Sequence, residues 1–409
     1  MKIGVVGLGY VGSTTAAVLA SLGNIVTGID VDHEKVEKLS NFCMPFYEPG
    51  LEEVIRKASD KLKFTTRIDK LSEMEIVFVT VQTPNRNGKV DLGYVMQAAN
   101  EISKVNKDCI IALKSTVIPG TARLVAERTG MEVISNPEFT KEGSAITDTV
   151  SPDRVVLGGH GNAMDVMREL WNFTNAPVIE TTWENAELIK YSSNVFLATK
   201  ISFINEISNL CEKIVGADIE IVARGMGLDR RIGKEFLKAG LGYGGSCLQK
   251  DTISFLEFAQ QKRVNLRIAG AASIVNENRI SHAIDLIKKE TCGDLSGTAL
   301  AILGLSFKNG TDDIRESQSI KLVKRLIPLS GKINLYDPVA HLDLKGTENF
   351  DDEEKCIEAS DIIAIATEWP QFKNVQNLSR GKPVIDLRRV VDISSIPNLK
   401  SVGVGINKN

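Results

Sequence analysis

Two stretches of short β-rich runs alternating with amphipathic segments, separated by a long stretch without strand signal, predict an α/β protein. The expected architecture is two doubly wound domains joined by a helical central domain with a long helix. A chain of 409 residues exceeds one compact core, in keeping with that division.

The first domain is expected over residues 1–182, with candidate strands at 2–6, 25–29, 76–81, 109–113, 132–134 and 154–157. Several are apolar without strict alternation, as parallel strands covered on both faces should be. The lengths between them suit right-handed crossovers. From Trp183 the strand signal stops. Residues 184–215 contain no proline and carry a helical rhythm through Leu188, Tyr191, Val195, Phe196, Thr199, Phe203, Ile207 and Leu210. A helix of that length needs neighbours along much of its surface, as an interdomain spine or as part of a subunit interface. The central domain is placed at 183–295 and read as a homodimer interface. Strands return at 299–303, 333–336, 362–366, 383–387 and 402–404, giving a second α/β domain over 296–409.

Composition narrows the functional classes. Charged residues make up 25% and apolar ones 43%, an ordinary globular mix. The formal charge of −3 offers no global attraction to nucleic acid or an anionic membrane. No run reaches the length of a membrane span, and the N-terminus enters a buried-strand pattern rather than a signal peptide. The six cysteines are scattered without a Cys-x-x-Cys, the pattern of reduced thiols in a cytoplasmic protein. With four histidines, a histidine-based catalyst or a metal site is not expected.

Gly7-Leu8-Gly9-Tyr10-Val11-Gly12 follows the first strand and opens an alanine-rich helix. In that context Gly7 permits the tight turn, Gly9 the close approach of a pyrophosphate, and Gly12 close helix–sheet packing. The helix N-terminus supplies amide donors and a favourable dipole. Asp30, at the end of the second strand, suits the adenosine ribose hydroxyls and would repel a 2′-phosphate; Asp32 is near enough to share the role. The expected cofactor is NAD in a Rossmann-like fold. The first turn of the second domain, Gly304-Leu305-Ser306-Phe307-Lys308, lacks this spacing and would bind a nucleotide in another manner.

Cys247 stands in Gly242-Tyr243-Gly244-Gly245-Ser246-Cys247-Leu248-Gln249-Lys250-Asp251. A core thiol is the commoner fate of a cysteine, but a glycine-opened loop with a lysine and an aspartate suits a nucleophile. After Asn136-Pro137, Glu138 and Glu142 are spaced to share one helical face, and Glu142 suits the activation of a water. Lys114-Ser115-Thr116 ends a strand, where open parallel sheets place ligands, and Thr116 could hold that water. Lys190 and Asn194 are four apart on the long helix. They suit a cation and an amide donor for a developing oxyanion, or, with Glu187, a surface ion-pair network.

Taken together, these blocks resemble the UDP-glucose/GDP-mannose 6-dehydrogenase family over essentially the full length. The resemblance also rests on Tyr47-Glu48-Pro49-Gly50-Leu51, Asn136-Pro137-Glu138-Phe139, Ala186-Glu187-Leu188-Ile189-Lys190 and Arg231-Ile232-Gly233. Further blocks are Phe307-Lys308, Thr311-Asp312-Asp313-Ile314-Arg315-Glu316-Ser317 and Thr367-Glu368-Trp369. It implies two Rossmann-like domains around a dimerising centre. It also implies an NAD-dependent, four-electron oxidation of a sugar-nucleotide C6 hydroxyl through a Cys247 thiohemiacetal and thioester. Cys247 would be the nucleophile, Lys190 the charge at the C6 oxygen, and Asn194 a donor to the intermediate. Asp251 and Thr116 would organise water, and Glu142 would assist hydrolysis. NAD contacts would come from Gly7, Gly9, Tyr10, Val11, Gly12, Asp30, Lys35, Thr83, Thr116, Glu142, Lys250 and Arg315. Glu138, Lys190, Asn194, Gly244, Lys308 and Arg231, the last across a dimer, would contact the substrate. Thr140, Lys141 and Arg389 depart from the commonest family pattern and leave sugar or base selection open. UDP-glucose is the favoured substrate, with GDP-mannose or a UDP-N-acetylhexosamine as alternatives. More distant are a one-step dehydrogenase, which leaves Cys247 without a role, and a non-catalytic NAD-dependent sensor.

Overall fold

A computed structural model describes residues 1–86, 88–392 and 399–405. The chain divides into two compact units, 1–193 and 194–409.

In the first unit the strands are β1 (Lys2–Val6), β2 (Ile25–Ile29), β3 (Leu62–Thr65), β4 (Ile76–Val79), a small hairpin of β5 (Asn85–Arg86) and β6 (Lys89–Val90), β7 (Ile110–Leu113), β8 (Val133–Ser135), β9 (Val155–Gly158) and β10 (Val178–Thr181). All but the hairpin form one eight-stranded sheet in the order β10-β9-β8-β7-β4-β1-β2-β3. Its two faces can be read within one strand. Ile76 and Phe78 of β4 pack with Leu19 and Met167, whereas Val77 and Val79 pack with Val95 and Ile102. Both faces are therefore covered by helices, which is why the strands are apolar throughout.

The expectation of an all-parallel sheet is corrected at one edge. β9 pairs antiparallel with β8 through Ser135 and Gly158, and β10 runs parallel to β9. An antiparallel step needs no crossover back to the other end of the sheet. The chain from 136 to 154 therefore stays at the carboxyl end of β8, the end of an open α/β sheet where ligands bind. β3 and β10 carry no clear apolar run and were not foreseen.

The helix Trp183–Cys211 belongs in part to each unit and ends earlier than its sequence rhythm suggests. In the second unit, helices Ile219–Gly227, Leu248–Gln261 and Arg267–Lys288 precede a six-stranded sheet. Its strands are β11 (Ala299–Leu303), β12 (Lys332–Tyr336), β13 (Thr347–Asn349), β14 (Ile362–Ile365), β15 (Val384–Asp386) and β16 (Leu399–Ser401). They run parallel in the order β13-β12-β11-β14-β15-β16. The last strand lies at 399–401 rather than 402–404; Val404 instead forms an isolated bridge with Asp218. Each sheet thus has a switch in strand order beside its first strand, the arrangement of two Rossmann-like domains with long helices between them. Among the described residues no helix is long and apolar enough to cross a membrane.

Candidate functional site

In the first unit, Gly7 and Gly12, around the turn after β1, cannot be exchanged. Gly7 has φ +97° and donates its N–H to the Ile29 carbonyl at 2.7 Å. A Cβ on Gly12 would lie 1.8 Å from the Gly7 oxygen, whereas one on Gly9 would meet nothing within 4 Å. The helix Tyr10–Ser21 can therefore begin against the turn while the space over Gly9 stays open. One Asp30 oxygen accepts from Leu8 N at 2.7 Å and Lys35 Nζ at 3.0 Å; the other accepts from Asp32 N. Asp32 itself caps the helix His33–Ser40 by accepting from Lys35 N, which leaves Asp30 as the acid at the turn. An open glycine cradle, a helix N-terminus and an acid at the end of β2 fit the pyrophosphate and ribose of a dinucleotide. Thr83 ties the loop after β4 to the loop after β7, its hydroxyl donating to the Thr116 carbonyl at 2.9 Å.

Glu138 and Lys190 form a buried pair, Oε1 to Nζ 2.8 Å, with side chains only 7% and 5% exposed. The other Glu138 oxygen accepts from the Thr140 N–H and hydroxyl, so this departure from the family pattern adds a donor to the carboxylate. Burial pushes the Glu138 carboxyl up, but Lys190 and Thr140 outweigh it and hold the group below its ordinary range. The surface reading of Lys190 is therefore corrected. Glu187 takes no part in this pair: it accepts the Gly120 and Ala122 N–H groups at 2.6 and 2.8 Å.

The helical face expected for Glu138 and Glu142 does not form; residues 136–143 are irregular and the helix begins at Ala145. Two anchors explain this. Asn136 donates to the Val156 carbonyl and accepts from Trp171 Nε1, fixing the start of the segment. Buried Glu48 accepts from Gly143 N and Ala145 N at 2.7 and 2.9 Å, fixing its end. Glu142 is half-buried between these anchors. Glu48, Lys114, Trp171 and Glu187 organise this end of the sheet and were not assigned from sequence. The Tyr47-Glu48-Pro49-Gly50 block and the lysine beside Thr116 were the available signals.

In the second unit, Cys247 is exposed and sits at the N-cap of the helix Leu248–Gln261. The positive end of the helix dipole stabilises negative charge on its sulfur. One turn on, Asp251 is 1% exposed; one oxygen accepts from Asn194 Nδ2 at 2.6 Å and the other lies 2.9 Å from Lys250 Nζ. The structure thus brings together Cys247, Asp251, Asn194 and Lys250 from two separate helices. Cβ atoms on Gly244 and Gly245 would strike the Glu316 carbonyl and the Phe307 ring, so the glycines let the thiol loop lie against the turn that carries Lys308. Arg315 pairs with Asp313, and Arg231, 90% exposed, pairs with Asp229. Arg389 is buried against Asp218 at 2.8 Å, an internal clamp on the cap of the helix Ile219–Gly227. Among the described residues no cluster of His, Cys, Asp and Glu could hold a metal ion.

Two Rossmann-like domains, a glycine cradle with its acid and a thiol at a helix start define an NAD-dependent dehydrogenase. Three family models match in order: the NAD-binding domain of the UDP-glucose/GDP-mannose dehydrogenase family over residues 1–175, its central domain over 184–278 and its UDP-binding domain over 301–393. The chain belongs to the UDP-glucose/GDP-mannose dehydrogenase family. It is 42% identical to the UDP-glucose 6-dehydrogenase YwqF of Bacillus subtilis, over 91% of this chain and 89% of the relative. A UDP-glucose dehydrogenase structure from Pyrobaculum islandicum superposes with a TM-score of 0.93 at 36% identity, covering 99% of this chain and 98% of the other. A UDP-D-ManNAc dehydrogenase structure from Pyrococcus horikoshii gives 0.89 at 28% identity, with 99% and 100% covered.

Proposed function

We propose that this dehydrogenase oxidises the C6 hydroxyl of UDP-glucose to the carboxylate of UDP-glucuronate. The observation that carries the reading is Cys247, an exposed thiol at a helix start with Asp251, Asn194 and Lys250 assembled one turn away. A one-step oxidation of an alcohol leaves that assembly without work. The relatives named for UDP-glucose supply the choice of sugar and base.

When bound, NAD supplies the hydride acceptor for each oxidation; Gly7, Gly9, Tyr10, Val11, Gly12, Asp30, Lys35 and Thr83 would hold it. In the first oxidation Lys190 stabilises the negative charge that develops on the C6 oxygen, and the hydroxyl proton passes to Asp251 or to a water held beside it. The Cys247 thiolate attacks the C6 aldehyde, forming a C–S bond and a thiohemiacetal whose oxygen Asn194 stabilises. The second oxidation converts it to a thioester. Water placed by Thr116 and Asp251 and deprotonated by Glu142 adds to the thioester carbonyl, expelling the thiolate and releasing the uronate. Glu138, Gly244 and Lys308 contact the sugar nucleotide, with Lys250 and Arg315 toward the cofactor. We assign NAD to residues 1–182, dimerisation to 183–295 and the sugar nucleotide to 296–409. Phe196, Phe203 and Leu210, a heptad apart on one helix and 64%, 46% and 55% exposed, support a dimer through the central helices, where exposed Arg231 can reach a partner's substrate. The scattered cysteines support a cytoplasmic location.

The test is NADH formation with a panel of UDP-glucose, UDP-N-acetylhexosamines and GDP-mannose. UDP-glucose should exceed the others in kcat/KM by on the order of tenfold or more. A preference for GDP-mannose or an N-acetylated sugar would reassign the substrate.

A further inference from the structure

The Glu138–Lys190 pair raises an electrostatic problem. A carboxylate and an ammonium at 2.8 Å sum to zero, and a neutral pair is a weak partner for a developing alkoxide. A second cation lies in the same interior. Lys114, at the end of β7, is 5% exposed, and its backbone N–H is bound by the Val79 carbonyl at 3.0 Å. Its Nζ lies 4.7 Å from the centroid of the Trp171 ring. The indole is held by its bond to Asn136, the residue that opens the segment carrying Glu138. The charged groups that act on Lys114 are Glu138 and Lys190. Lys141, Asp148, Asp153 and Arg154 share with Lys114 and Glu138 the lining of a cavity of about 120 Å³. Arg154 is turned onto the Phe139 ring, 3.7 Å from its centroid.

We propose that Lys114 is a positioning residue for the oxidation at C6: its ammonium offsets Glu138, so that Lys190 acts on the reacting oxygen as a net cation. The proposal rests on the assignment of Lys190 to the C6 oxygen. Burial pushes the Lys114 ammonium down to about 8; Glu138 pulls it back up and Lys190 opposes that pull. The extra charge is therefore present at neutral pH and is lost in mildly alkaline solution.

The experiment is the pH profile of kcat and of substrate KM for the full-length protein and four variants: Lys114→Met, Lys114→Arg, Lys190→Ala and Lys114→Met with Lys190→Ala. The native kcat should fall through pH of about 8. Lys114→Met should lower kcat at pH 7 by on the order of tenfold, change KM by less than about threefold, and flatten the profile between about pH 7 and 9. Lys114→Arg should keep the neutral-pH turnover and also lose the alkaline fall, since its charge does not titrate there. The double variant should be no slower than Lys190→Ala alone. A native profile without an ionisation near pH 8, an alkaline fall retained in either Lys114 variant, or additive losses in the double variant would each overturn the proposal. Should Lys114→Met not fold, the Lys114→Arg profile decides. Wild-type turnover in Lys190→Ala would instead refute the role of Lys190 on which the proposal stands, an outcome distinct from a costly Lys190→Ala beside an unaltered Lys114 profile.

Discussion

Asp30 and Asp337 do the same local work in the two domains. Each follows a second strand and accepts from the amide after a left-handed glycine, Leu8 N and Leu305 N, both at 2.7 Å. Gly7 and Gly304 match in φ, +97° and +95°. The difference lies in what else each carboxylate holds. Asp337 also takes Ser306 and Trp369 Nε1, and its turn runs on to Ser317 before a helix begins, whereas the helix at Tyr10 starts inside the Gly7 turn. This supports dinucleotide binding in the first domain and a different mode in the second. Asp30→Asn keeps an acceptor for Leu8 N but removes the charge, so it should weaken NAD and narrow its advantage over NADP by on the order of tenfold. An unchanged ratio of kcat/KM for the two cofactors, with the fold intact, would remove Asp30 from the ribose site. The glycine hexad and the Cys247 loop could be read as local motifs, and Asp30 from its place at the end of the second strand, although the amide it holds at Leu8 is 22 residues away. Glu48 was not, because the amide it holds at Gly143 is 95 residues away.

Long-range side-chain-to-backbone bonds also decide how elements are joined. Glu187, on the helix Trp183–Cys211, accepts two N–H groups at the start of the helix Thr121–Thr129. Burial pushes its carboxyl up to about 7, against the pull of those two amides. The folded chain therefore keeps a proton that the unfolded chain releases near pH 4.5. The corresponding stability is fully present below about pH 4.5 and is lost as pH rises through about 7, on the order of 3 kcal/mol in all. Glu187→Gln cannot lose that proton. Its denaturation midpoint should gain on the native one across this window, whatever the fixed cost of the altered acceptor. Parallel stability curves between pH 4 and about 8 would show that Glu187 does not titrate there. The long helix itself was readable from its apolar rhythm. The reversal at β9 was not, because the direction of a strand depends on where the preceding loop is anchored, and Asn136 and Glu48 do that through distant partners.

At the scale of the whole molecule, two Rossmann-like domains precede and follow a helical centre along the chain, and several of the groups proposed for catalysis fall in its sequence. The order of the blocks was enough to read this, since strands return at Ala299 after a long stretch without them and a glycine turn follows the first of them; the acid of the second turn, Asp337, was not read. The number and direction of the edge strands required the folded chain. In the proposed reaction one thiol divides a four-electron oxidation into an aldehyde and a thioester stage. The direct measurement counts NADH and uronate together, in the native protein and in Cys247→Ala, starting from UDP-glucose and separately from its 6-aldehyde. The native protein should give two NADH per uronate from the sugar, and one from the aldehyde. Cys247→Ala should release essentially no uronate from either and should not reduce NAD at a useful rate when given the aldehyde. Uronate released by Cys247→Ala with two NADH per sugar, at close to the native rate, would contradict the covalent account and place the second oxidation on a hydrated aldehyde.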